Sequence, residues 1–386
     1  MLEAFYTDMC AGRGIGRFAA LASRLPLPKS FRKLTKNLAC RRPPPNVIMH
    51  TRTCDVETLC YEALVRFHTN PLSQKRLLAG SAMRRGRRMA SWGTGAATHV
   101  FNVIGEGGKL ILEAKDRGLP VLSDIIVALS THAIEKREHR AFPDWGPAPD
   151  ADGFKDIYFE HAQHLLETTD TFVCPSTFVA EDLTMNWGVD SRKVRIVPYV
   201  VSSDWFKIQP RTEIGRVLFA GSANRRKGIH YLAVAANELC RRGYRYDFRV
   251  AGDVAPAVKT HPHARSLVFF GRVPRSEVAL EFACADIFVL PTLAEGSATV
   301  IYEAMAARLP VITTRSAGSM IEDGVDGIIV PERDPYALSC AIERLVEDRR
   351  MREEIAAKAR EKAISYGWSD YARLIRKLVA EPDPMQ

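Results

Sequence analysis

No run of about 18 apolar residues occurs in the 386-residue chain, so no lipid-spanning helix is expected. The opening Met1-Leu2-Glu3-Ala4-Phe5 has no basic stretch followed by a long apolar one, and a secretory leader is not expected. Eight cysteines are scattered from Cys10 to Cys340 without a single C-x-x-C pair, which argues for reduced thiols in the cytoplasm. The pairs His161/His164 and His261/His263 have no cysteine or carboxylate companions at a metal-ligand spacing, so neither a metal nor another resident cofactor is expected. Helix-turn-helix patterning, RNP-type aromatic motifs and finger spacing are also missing, which argues against nucleic acid as a partner.

What is present is ordinary globular composition, 46% apolar and 26% charged, in a chain long enough for two cores. The net charge of +9 is unevenly placed: the first 100 residues hold 17 Lys and Arg against 5 Asp and Glu. The basic stretches are Lys29 to Lys36, Arg41-Arg42 and Arg84-Arg85-Gly86-Arg87-Arg88. They suit an anionic membrane surface or an acidic acceptor, and a solvated face accounts for them equally well. A cytoplasmic protein that can sit on a membrane surface fits this balance.

The first 95 residues carry the weakest pattern. Glycines from Gly12 to Gly16 follow no apolar strand, so a dinucleotide fingerprint is rejected. Pro43-Pro44-Pro45 marks a break, Val56 to Phe67 has helical spacing, and no first strand is evident near residue 1. From residue 98 strands and helices alternate. Strands are expected at 98–104, 120–126, 171–174 and 194–197, with helices at 109–117, 157–167 and 178–186; Gly118 and Ser176 are expected as caps and Gly105 to Gly108 as a loop. A second alternation begins at Arg216, with strands at 216–221, 246–251, 267–270 and 327–330 and helices at 231–241 and 275–282. Asp334-Pro335 opens another helix, and Ser369 is expected to cap the last one. This order implies two doubly wound parallel sheets.

The stretch Ala285 to Thr314 organises the rest: an apolar strand ended by Pro291, a small-residue loop, a helix, and a second strand from Val311. Its loop, Glu295-Gly296-Ser297-Ala298-Thr299, lies where a strand's carboxyl end meets a helix amino terminus, a place that favours anions. Gly296, Ser297 and Ala298 let a ligand approach the backbone. Glu295 and Glu303 flank that loop eight residues apart. Carboxylates beside a phosphate cradle suit a ligand with hydroxyls next to phosphates, such as a nucleotide sugar, although the bare spacing also fits two solvated glutamates.

The wider pattern D-I-F-V-L-P-T…E-G…E-A-M-A…L-P-V-I-T-T, with Asp286, Glu295, Glu303 to Ala306 and Pro310, resembles the signature of family-4 retaining glycosyltransferases, the glycosyl transferases group 1. Asp170 to Val179 resembles that family's A-D-x-V-x-x-P-S-x-F-V, and Lys227-Gly228 its Lys-Gly pair. The resemblance covers roughly residues 95 to 380 and implies a GT-B fold, α/β, with two facing Rossmann-like domains and a C-terminal crossover helix. The boundaries it implies are 1–205 for an acceptor-binding domain with a divergent basic start, 206–368 for the nucleotide-sugar domain, and 369–386 for the helix crossing back.

By resemblance the donor site comprises Gly221, Arg225, Arg226, Lys227, Gly228, Glu295, Gly296, Ser297, Ala298, Thr299 and Glu303. Lys227 and a neighbouring arginine would neutralise the diphosphate, Glu295 would meet sugar hydroxyls, Glu303 the ribose, and the amides of Ser297, Ala298 and Thr299 ligand oxygens. His132 stands near the family's sugar-facing histidine, although a structural role is equally open. Glu295, Lys227 and His132 are thus the expected catalytic residues. Ser222 stands where the family has arginine, and Val200 and Ser202 depart from its Gly and Asp. The implied reaction is metal-free transfer from a nucleotide-diphosphate-sugar to a glycan, lipid-linked or small acceptor, with retention by front-face displacement. A GT-B epimerase or phosphorylase, or a silent nucleotide-sugar-binding scaffold, are the alternatives.

Overall fold

The computed structural model describes residues 5–7, 51–53, 84, 86–104, 108–149 and 155–380. The basic stretches 29–36 and 41–42, the proline run 43–45, the expected helix 56–67, the glycines 12–16 and 105–107, and position 85 lie outside the described residues. A first strand does exist: β1 (Phe5–Thr7) pairs in parallel with β2 (Thr51–Thr53). Three residues are too few to show alternation, which is why the sequence gives no sign of it.

A four-stranded sheet of order β3-β4-β5-β6 contains β3 (Val100–Val103), β4 (Val121–Asp124), β5 (Thr171–Cys174) and β6 (Val194–Ile196). Its helices are α1 (Lys109–Asp116), α2 (Thr131–Ala141), α3 (Lys155–Thr168) and α4 (Thr177–Glu181), the last continuing as a π turn over Asp182–Asn186. Gly118 follows α1 in the left-handed region, and the Ser176 hydroxyl accepts from the Val179 amide, so both expected caps form. The polar stretch after β4 is helical where none was expected.

The second sheet has six parallel strands in the order β12-β11-β10-β7-β8-β9. In chain order these are β7 (Arg216–Ala220), α5 (Ile229–Arg241), β8 (Asp247–Ala251), α6 (Pro256–Thr260), β9 (Leu267–Gly271), α7 (Arg275–Cys284), β10 (Ile287–Leu290), α8 (Thr299–Ala306), β11 (Val311–Thr313) and β12 (Ile328–Ile329). Then come α9 (Pro335–Glu347), α10 (Arg349–Ser365) and α11 (Trp368–Ala380). Helix α10 is a further element without a counterpart in the expected list. Helix α11 starts before Ser369, which lies in its first turn and is not its cap; Asp370 accepts from the Gly367 amide at 3.1 Å, the reciprocal half of a capping box.

Strands β7 and β10 are buried on both faces, as parallel strands between two helix layers must be. Val217, Leu218, Phe219, Phe288, Val289 and Leu290 are each at most 1% exposed, and each such side chain contributes about 1.5–3 kcal/mol relative to exposure. Asp286, also buried, ties the sheet to α10: its carboxylate accepts from the Gly215 amide at 2.8 Å and pairs with Arg349 at 2.9 Å and with Arg352. A buried carboxylate with three partners meets its desolvation cost, which explains an aspartate at the foot of a strand.

Contacts divide the chain into two compact units. One holds the described residues up to Ser123 together with 155–171; the other holds 124–149 and everything from Phe172 on. The sheet changes between β6 and β7, which end at Ile196 and begin at Arg216. The site described next lies wholly in the second unit.

Candidate functional site

Between β7 and β10 the strand order reverses: β8 and β9 lie to one side of β7, and β11 and β12 lie beyond β10. At such a switch point the two loops leaving the strands' carboxyl ends diverge and open a crevice, the usual ligand site of open α/β sheets. The loop after β7 is Gly221 to Gly228, and the loop after β10 is Pro291 to Ala298.

These two loops meet through charge. The Glu295 carboxylate accepts from Lys227 Nζ at 2.5 Å, from Arg226 Nη1 at 2.8 Å and from the Thr292 hydroxyl at 3.1 Å, all at one oxygen, Oε1. Arg226 also donates to the Ala294 carbonyl at 2.7 Å. Burial is the main influence on Lys227 and moves its pKa down, while Glu295 opposes that shift. The Lys227 amide donates to Asn224 Oδ1 at 3.0 Å, which fixes the loop's turn into α5. Gly228, at φ +72°, is required there, because a Cβ would lie 1.9 Å from the Pro291 carbonyl oxygen.

Gly296 is equally constrained. A Cβ would fall 1.8 Å from the carbonyl oxygen of Ile126, so the loop after β10 touches the segment that follows β4. Ser176, the cap of α4, donates its hydroxyl to the Gly296 carbonyl. We therefore expect Gly296→Ala to cost about 3 kcal/mol of unfolding free energy, measured by urea denaturation, because backbone cannot yield as a flexible side chain can. An unchanged midpoint would contradict this packing.

Not all expected residues converge. Arg225 is turned away: its guanidinium donates to the Gly146 carbonyl at 2.7 Å and to those of Phe142 and Pro147. Arg226 is thus the arginine beside Lys227, and Ser222 is exposed. The Ala298 amide donates to the Ala317 carbonyl at 3.0 Å, so among the three expected amides this one is already engaged. Thr299, at the first turn of α8, has no intrahelical acceptor for its amide. Ser297 Oγ lies 2.8 Å from the Tyr302 hydroxyl. Gly221 directly follows β7, with its amide bonded to the Ala251 carbonyl at 2.8 Å.

Glu303 stands apart from the Lys227 cluster. Its carboxylate is 3.6 Å from Arg275 Nη2, and the Arg275 guanidinium lies 5.3 Å from the centre of the Trp205 ring. Burial raises the Glu303 pKa, with Arg275 opposing. An acceptor oxygen beside a cation suits a ribose hydroxyl, while Trp205 itself is buried beneath Arg275.

His132 is the second residue of α2, and its charge reaches Glu135 one turn along. Glu135 in turn lies 3.7 Å from Arg226 Nε. Sequence reasoning missed Glu135 and also Glu138, a buried carboxylate in contact with His230, Tyr231 and Arg333. The usable signal was the i, i+3 repeat of His132, Glu135 and Glu138, which places all three on one side of a helix. Among the described residues no group of three or more His, Cys, Asp and Glu side chains is placed to hold a metal ion.

Residues 215–348 match the family described as Glycosyl transferases group 1. The chain is 32% identical over 151 residues to the alpha-D-kanosaminyltransferase of Streptomyces kanamyceticus, covering 37% of this chain and 39% of that one. It is 27% identical over 246 residues to the D-inositol 3-phosphate glycosyltransferase of Corynebacterium urealyticum, covering 56% and 58%. The chain thus spans about half the length of these curated relatives. Among solved structures, sucrose-phosphate synthase from Thermosynechococcus elongatus superimposes with a TM-score of 0.59 at 17% identity, covering 78% of this chain and 79% of that one. The crystal structure of Anabaena HepE in complex with UDP-glucose gives a TM-score of 0.59 at 14% identity, over 98% and 99% of the two chains. At these identities the likeness shows fold, and the fold is GT-B.

Proposed function

We propose that this chain, a member of the group 1 glycosyl transferases by residues 215–348 and a GT-B protein by fold, moves a sugar from a nucleotide-diphosphate-sugar to an acceptor hydroxyl. The observation that carries the reading is the meeting of Arg226 and Lys227 with Glu295 at the switch point between β7 and β10. Two cations facing one carboxylate form a site that a diphosphate can enter by exchanging for that carboxylate. Once displaced from the cations, Glu295 is an acceptor for sugar hydroxyls, and Glu303 serves the ribose in the same way.

In this reaction the bond from the anomeric carbon to the diphosphate oxygen breaks, and a bond from that carbon to the acceptor oxygen forms. The acceptor's proton passes to the leaving diphosphate on the same face, so configuration is retained. Lys227 and Arg226 stabilise the charge that grows on the diphosphate, the task a metal would otherwise perform. Catalysis then consists of positioning and charge stabilisation, with no carboxylate nucleophile. The acceptor is a glycan, a lipid-linked sugar or a small molecule.

The test is a thermal-shift screen against UDP-, GDP-, ADP- and dTDP-sugars in the presence of EDTA. A ligand that binds only the folded state raises the melting temperature by mass action, by an amount equivalent to about 2.7 kcal/mol at 100 times Kd. We expect a rise with one nucleotide class, and transfer activity undiminished by EDTA. Failure of every nucleotide to shift the transition would overturn the donor site, and activity lost to EDTA and restored by divalent cation would overturn the metal-free reading. Nucleoside diphosphate released only when acceptor is present separates transfer from epimerisation.

A further inference from the structure

Helix α2 enters the second unit from the carboxyl end of β4 and carries a carboxylate into the charged cluster. Glu135 lies 3.7 Å from Arg226 Nε, and Arg226 is the same guanidinium that holds Glu295. Arg226 is therefore flanked by two carboxylates 160 residues apart in the sequence, one from helix α2 and one from the loop after β10. Glu135 is partly buried, with its side chain 34% exposed, so it faces a crevice that a solute can reach. Its position is fixed by the next turn of the same helix. Glu138 is locked against His230 and Tyr231 at the start of α5 and against Arg333, and α5 is the helix that follows Arg226 and Lys227.

Two cations and two carboxylates form a balanced set when no ligand is present. A diphosphate claims both cations and releases both carboxylates at once, and an anion left unpaired in a partly dry crevice needs new donors. The hydroxyl or amide groups of the sugar attached to that diphosphate are the donors at hand. We propose that Glu135 is a second sugar-reading carboxylate of the donor site, selecting among donor sugars by accepting a hydrogen bond from one hydroxyl or amide that Glu295 does not engage. Resting on the transfer reading above, this adds a specificity residue that no part of the motif pattern supplies. The burial that raises the Glu135 pKa, against the lowering charges of Arg226 and His132, is what makes an unpaired carboxylate there costly.

The experiment compares wild type, Glu135→Ala and Glu135→Gln in binding free nucleoside diphosphate and the matching nucleotide sugars, UDP with UDP-glucose, UDP-galactose and UDP-N-acetylglucosamine and the GDP, ADP and dTDP equivalents, by calorimetry. The expected result is a split. Glu135→Ala binds the nucleotide sugar about tenfold more weakly, about 1.4 kcal/mol, while the free diphosphate binds as well or better because Arg226 has lost a competitor. Glu135→Gln, which keeps an acceptor oxygen, recovers part of the sugar contribution and alters the order of preference among the sugars. Equal weakening of both ligands, with a lowered melting temperature, would assign Glu135 to the scaffold and overturn the proposal. So would unchanged binding of both. A wild type that binds no nucleotide at all would overturn the donor-site reading itself and this inference with it.

Discussion

Replacing Glu138 by alanine is expected to lower the unfolding free energy of the protein by about 3–5 kcal/mol, the range for removing one member of a buried ion pair. Glu138 and His230 are each 1% exposed. The Glu138 carboxylate accepts from His230 Nε2 at 2.8 Å, from the Tyr231 hydroxyl, and from Arg333 Nε at 3.0 Å. Burial, its largest single influence, acts to raise the Glu138 pKa. The hydrogen bonds from His230 and Tyr231 and the charge of Arg333 outweigh it and hold the pKa below the ordinary range. His230 is pushed down, mainly by burial with Glu138 opposing, so the pair consists of an ionised carboxylate and a neutral imidazole donating to it. Alanine would leave three donors facing an apolar gap beside Phe142, whose ring centre is 4.6 Å from that of His230.

The same network sets a direction for the pH dependence of stability. Glu138 binds a proton more weakly folded than unfolded, so its contribution is complete above the unfolded value of 4.5 and disappears as the pH falls through the lower folded value. Depression of His230 below 6.5 has the same sign, adding a loss that begins below that pH. Stability should therefore decline on acidification from about pH 6.5; Glu138→Ala should flatten the part of the curve below pH 4.5 and, with the carboxylate that opposes the His230 depression gone, steepen the part above it. Urea denaturation between pH 2 and 8 reads both the size and the slope. Tyr231→Phe, which removes one of three donors, should cost only about 1 kcal/mol. An alanine variant within about 1 kcal/mol of wild type would show that the cluster is ornamental to the fold.

The sequence exposed the second sheet well and the second helix only through a charged i, i+3 repeat, and the reasons are physical. Strands such as 287–290 are unbroken apolar runs because both faces are covered, and that is legible locally. Helix α2 reads Thr-His-Ala-Ile-Glu-Lys-Arg-Glu-His-Arg-Ala, with no apolar stripe, because its one buried residue is Glu138. The partners that make that burial possible lie 92, 93 and 195 residues further on, beyond the reach of any periodicity. Helix α10 was hidden for a related reason: its buried face is Ile355, Ala356, Ala359 and Ala363, small residues among many charges. The motif did bring Lys227 to Glu295, but it could not say which of two adjacent arginines joins them. The carbonyls of residues 142, 146 and 147 draw Arg225 away.

Replacing Lys227 by alanine is expected to lower the turnover number about 100- to 1000-fold, the usual effect of deleting one preorganised group that stabilises transition-state charge. The fold should survive, because Glu295 keeps Arg226 at 2.8 Å and Thr292 at 3.1 Å and is not left buried without partners. Lys227→Arg should restore part of the rate, since charge matters more than shape to a diphosphate, whereas methionine should not. In the proposed mechanism the protonated amine is the working form, and burial moves its pKa below the ordinary 10.5, so kcat/KM should fall on the alkaline side as pH rises through that lowered value. Glu295 is the group that opposes the fall in pKa. Glu295→Gln should therefore shift the alkaline limb of kcat/KM, which reports the ligand-free enzyme, to lower pH, an effect distinct from any loss of sugar contacts. Steady-state rates of nucleoside diphosphate release from pH 6 to 10 report both. Full activity in Lys227→Ala would remove the amine from the mechanism, and an alkaline limb unmoved by Glu295→Gln would show that another group titrates there.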